Sequence, residues 1–134
     1  MTDQVPWTLI ERASGGAALD LRRLAKVAYA VLSTVDDLPA PARDVVTAYA
    51  SEEGVAARSG ELRSGLWRFI KSTTLMTRED SLARCALWML PSADDELDLN
   101  ESLGWLRTFW ECAEPGKASE LVVAVKEAFL GPDA

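Results

Sequence analysis

The stretch DLNESLGWLRTFWECAE, residues 98–114, decides the fold. Leu103, Leu106 and Trp110 recur at three- and four-residue intervals, as do Trp105, Phe109 and Cys112, with Ala113 between the two rows. That is the periodicity of an α-helix, with half its circumference apolar. Asp98 with Glu101 three positions later is a helix-start pattern, and Pro115-Gly116 supplies the stop.

Working outward, the same punctuation and periodicity recur. Leu121, Val125, Ala128 and Phe129 predict a last helix that ends at Gly131-Pro132. The run Leu121 to Val125 would also suit a buried strand, but a lone strand has nothing to pair with. Thr77 with Asp80 predicts the start of a helix carrying Leu82, Cys85, Ala86, Met89 and Leu90 before Pro91. Before it, Leu62, Leu66, Phe69 and Ile70 place a helix over about 59–72, with Trp67 on its flank and Gly60 and Gly65 inside it. Val45, Val46 and Tyr49 predict another that stops at Gly54. A long helix carries Leu21, Leu24, Ala28, Val31, Leu32 and Val35 up to Pro39 and Pro41, and a short first segment runs from Pro6 to Gly15-Gly16. No alternating run is long enough for a strand. The expected architecture is all-α: a single domain over residues 1–134, built as a bundle of six or seven short helices, since 134 residues make one core and not two.

The chain carries a formal charge of -7, unevenly distributed. Residues 1–90 hold 11 basic and 11 acidic side chains, whereas residues 91–134 hold 3 basic and 10 acidic. The whole excess therefore sits in the last third. Within it, Asp94, Asp95, Glu96, Asp98 and Glu101 fall in eight consecutive positions. Acidic groups at a helix N-terminus interact favourably with its dipole, by about 0.3–1 kcal/mol each, so part of this cluster needs no ligand.

Much chemistry is excluded. With no histidine in the chain, Ser-His-Asp and Cys-His catalysis and histidine-containing zinc sites are absent. Cys85 and Cys112 stand 27 residues apart with no CxxC, and are expected to be reduced core residues. There is no GxSxG, P-loop or GxGxxG. Asp94, Asp95 and Asp98 spell DDxxD, which resembles the magnesium–diphosphate motif of prenyl synthases over five residues, but the chain is too small for their cavity and lacks a second acidic motif. A calcium loop starting at Asp94 fails at its sixth and twelfth positions, Leu99 and Trp105. The adjacent pairs Asp36-Asp37, Glu52-Glu53 and Asp94-Asp95 fall on predicted loops or helix ends, where solvent keeps both carboxylates ionised. No enzyme activity, cofactor or metal is expected.

What remains is a surface. The acidic run leads straight into a helix bearing Trp105, Phe109 and Trp110, so a charged rim would border an aromatic patch, the arrangement in which protein interfaces concentrate binding energy. Five tryptophans, Trp7, Trp67, Trp88, Trp105 and Trp110, are more than a small helical core requires, and one or two are expected at the surface. The expected partner-binding set is Asp94, Asp95, Glu96, Asp98, Glu101, Trp105, Phe109 and Trp110, facing a basic protein. Arg63, Arg68 and Lys71 share a polar helix side, with Arg58 just before it. Phosphate would suit them, but Glu61 and the overall acidity argue against nucleic acid, so a solvated face is expected there and at Arg22, Arg23 and Lys26. No targeting segment or membrane span is read, which points to the cytoplasm, and the ratio of 10 Arg to 4 Lys with 20 Ala suggests a GC-rich bacterial genome. Covering a basic toxin or nuclease, as an immunity protein or antitoxin does, is the role expected by fold-level analogy. An adaptor, secretion chaperone or regulatory subunit would use the same patch, a small-ligand receptor would use Trp67 and Trp88 with an arginine, and a homodimer would cover the aromatic face with a second copy.

Overall fold

The computed structural model describes residues 5–50, 52–90 and 98–131. These form seven α-helices: α1 (Trp7–Ala13), α2 (Ala17–Leu32), α3 (Ala40–Tyr49), α4 (Glu52–Ser72), α5 (Arg78–Leu87), α6 (Leu99–Ala113) and α7 (Ala118–Leu130). A 3-10 turn at Pro115–Lys117 joins the last two, and there is no strand among the described residues. The segment around Leu121 to Val125 is helical, as its Gly-Pro stop implies.

Local signals explain most boundaries. Thr77 caps α5, its hydroxyl accepting from the backbone N–H of Asp80, and Asp98 caps α6 by accepting from Glu101 N–H at 3.0 Å. Pro39 and Pro41 open α3. Gly16 precedes α2 with φ of 98°, a conformation that disfavours any side chain. Three of the expected boundaries need correction. Gly54 does not end a helix; it lies inside α4, which starts at Glu52 and runs 21 residues, whereas α3 already ends at Tyr49. Val35 lies beyond the end of α2, and Met89 and Leu90 lie beyond the end of α5, yet all three are buried.

One contiguous core draws on all seven helices. Along α2, Leu24, Val27, Ala28, Val31 and Leu32 are buried where the helix meets α7 and α5. α4 packs between α3 and α5, and α5 packs between α4 and α6. The apolar face of α6 inserts Leu103, Leu106, Trp110 and Ala113.

Gly60 and Gly65 sit in the interior of α4, and a methyl group at either would meet no atom within 4 Å. Changing either to alanine is therefore expected to stabilise the protein by about 0.5–1 kcal/mol, by relieving backbone entropy without a clash. Urea unfolding midpoints check this, with the two gains adding in the double variant.

Candidate docking surface

Two buried polar clusters hold helix connections, and the first of them borders the surface through Met76. Asp80 is fully buried at the start of α5. Its carboxylate accepts from Met76 N–H at 2.9 Å, from Thr73 Oγ1 at 3.2 Å and from Arg84 Nε at 3.0 Å. In a capping box that carboxylate would reach back to the N–H of Thr77; here it reaches one residue further and fixes the α4–α5 turn. Met76 is held in the left-handed region, φ 66°, which costs a residue with a Cβ about 1 kcal/mol or more. At the start of α2 Asp20 accepts from Ser14 Oγ and Gly15 N–H, while Arg23 donates to Ala13 C=O at 2.6 Å and lies 5.4 Å over the Phe129 ring. Arg23 was expected in solvent with Arg22 and Lys26; those two are exposed, but Arg23 is buried, because its guanidinium ties α1 and α7 to α2.

A third cluster is at the surface. Arg78 forms a bidentate pair with Asp37, at 2.9 and 3.1 Å, and reaches Glu114 at 2.7 Å. The hydrogen bond from Arg78 holds the Asp37 carboxyl below its ordinary range, and the same partners raise the guanidinium further.

The expected binding residues divide sharply. Asp94, Asp95 and Glu96 lie outside the described residues. Asp98 and Glu101 are exposed on the first turn of α6. Trp105, one turn further on, is 51% exposed, and its ring stacks on Phe109 with centroids 5.8 Å apart. Phe109 is half-buried, with Arg84 5.5 Å over its ring. Trp110 does not belong to this surface. It is fully buried, on the row of α6 that faces the core, and its indole N–H donates to Lys117 C=O at 2.9 Å. The two aromatic rows of α6 thus have different fates: one is packing and the other opens to solvent. No protein-family model matches the chain, and neither a curated protein nor a solved structure is detectably similar to it.

The open row continues past what the helix alone implies. Cys112 follows Phe109 on the same side, and its thiol donates to Met76 C=O at 3.1 Å. Leu75 and Met76, on the α4–α5 turn, are 63% and 41% exposed beside it. The sequence did not mark them, because their place next to α6 depends on the Asp80 cluster. An apolar strip therefore runs from Trp105 through Phe109 and Cys112 to the turn, with carboxylates at its α6 N-terminal end.

The cysteines also separate. Both are free; Cys85 is buried and Cys112 only partly so, against the expectation that both are core. Burial pushes the Cys85 thiol far above its ordinary range, which leaves it inert. A thiol reagent at neutral pH is expected to modify Cys112 alone in the native protein and Cys85 only after unfolding. Equal rates for the two would contradict this packing. The other exposed tryptophan of the described residues is Trp67, 39% exposed on α4, whereas Trp88 is half-buried against the core. Trp67 lines a shallow groove with Arg63, Ser64, Arg68 and Lys71, and Trp88 is not among its lining residues.

Proposed function

We propose that the chain acts by binding a basic protein partner along the open side of α6. The observation that supports it is the exposed Trp105, stacked on the half-buried Phe109, on the same helix side as the carboxylate of Glu101, which has no partner among the described residues, and the cap carboxylate of Asp98. Exposed tryptophan is costly to leave in water and is favoured as an interface anchor, and an acidic rim speeds encounter with a cationic surface while rejecting anionic ones. The stretch 94–96 adds three acidic residues directly ahead of that rim in sequence. Within this class the role is that of an immunity protein or antitoxin, which covers the basic surface of a toxin or nuclease.

The test compares three tagged chains in pull-downs from the source lysate at low and high salt: wild type, Trp105→Ser, and a variant with Asp94, Asp95, Asp98→Asn and Glu96→Gln. The expected result is a basic protein retained by wild type, shed at high salt, and lost or weakened in both variants. Expression of the captured protein alone should then arrest growth, with rescue by the wild-type chain. A captured partner that is harmless would move the role to an adaptor or chaperone, and equal capture by all three chains would overturn the assignment of the surface.

A further inference from the structure

On the side of α4 turned away from Leu62 and Leu66, a shallow groove is lined by Arg63, Ser64, Trp67, Arg68 and Lys71. Arg58 is engaged by Glu61 at 3.4 Å, but Arg63, Arg68 and Lys71 have no hydrogen-bond or ion-pair partner among the described residues. Three unpaired cations around an exposed tryptophan mirror the α6 surface, where carboxylates adjoin an exposed tryptophan. Within one chain these two faces do not meet, because α4 and α6 make no contact and α5 packs between them.

We infer that the α4 face of one copy docks on the α6 strip of a second copy, so that the chain associates with itself head to tail. This rests on the assignment of the α6 strip as a docking surface and names one occupant for it. Charge complementarity carries the inference: Arg63, Arg68 and Lys71 against Asp98 and Glu101, with Trp67 and Trp105 supplying apolar area. The net charge of -7 does not prevent it. At physiological salt charges more than about 8 Å apart are largely screened, whereas side chains in contact are not. Because the two faces differ, each contact leaves one of each kind free, and the assembly grows as an open chain or closes into a ring. The basic partner and the second copy would compete for α6, making self-association a store from which partner binding releases single chains.

Sedimentation velocity into the millimolar range tests this with two neutralised variants. One carries Arg63, Arg68 and Lys71→Gln; the other carries Asp98→Asn, which keeps a cap residue, and Glu101→Gln. Unchanged circular dichroism and melting confirm that both fold. Wild type is expected to sediment faster as concentration rises, and to lose this at high salt. Each variant alone is expected to stay monomeric, and their equimolar mixture to stop at a dimer, since only one intact contact can form. A monomeric wild type, variants that associate like wild type, or a mixture that stays monomeric would each overturn the inference. The α4 variant retains an intact α6, so wild type that stays monomeric yet captures a basic partner would sink self-association alone. Partner capture unaffected by Asp98→Asn with Glu101→Gln would instead count against the α6 surface itself.

Discussion

Trp110→Ala is expected to destabilise the protein by about 3–5 kcal/mol, the largest loss from a single apolar truncation on α6. Trp110 is fully buried, heads the largest buried side chains, and spends its indole N–H on Lys117 C=O at the turn into α7. Truncation empties a ring-sized volume between helices and removes the indole donor from that carbonyl, and a close-packed interior relaxes only partly around such a gap. Trp110→Phe should cost less, because most of the volume is kept and only the donor is lost. Trp105→Ala on the same helix should change stability by less than about 1 kcal/mol, since half of that side chain is already in water. Denaturant midpoints with an unchanged slope check all three. Similar losses at positions 105 and 110 would mean that the two rows of α6 do not differ as described.

Asp80→Ala is expected to cost about 3 kcal/mol, and a small polar residue at the head of α5 gives little warning of it. The buried carboxylate is the common acceptor for Met76 N–H, Thr73 Oγ1 and Arg84 Nε. Without it the Met76 amide loses its partner, and the left-handed backbone at that residue is no longer compensated. Arg84 reaches solvent and recovers part of its hydration, which keeps the loss below that of a fully enclosed ion pair. Met76→Gly in the Asp80→Ala background is expected to return some of the stability, because glycine adopts positive φ without strain. If Asp80→Ala unfolds at the wild-type midpoint, the cluster does not hold the turn. The functional consequence is separate: releasing the turn should withdraw Leu75 and Met76 from the strip and weaken partner capture even where the fold survives.

The helices were legible because their signals are local. Caps at Thr77 and Asp98 and the Pro and Gly stops each act within one turn of the chain, and the backbone follows them. Gly54 misled for the same reason: glycine suits a helix end but does not impose one, and here the flanking residues continue the helix. The i,i+4 pair of Asp80 with Arg84 was present in the sequence, yet spacing gives no measure of burial, so a surface pair and a buried clamp look alike. Arg23 failed in that way too, its solvated neighbours Arg22 and Lys26 being one and three positions away.

Sequence alone determined that the chain is helical, where most helices begin and end, and that its negative charge is concentrated in the last third. Those properties depend on backbone propensity, capping and composition, which are read over a few residues. Only the tertiary structure decided which of the two aromatic rows of α6 would face the core, and that α5, α7, α2 and α1 would gather on the side of Trp110, leaving Trp105 outside. A helix with half its surface apolar has no local preference between its two edges. The choice is made by which neighbours arrive to cover it, and here the helices around α6 remove the Leu103, Leu106 and Trp110 row from water.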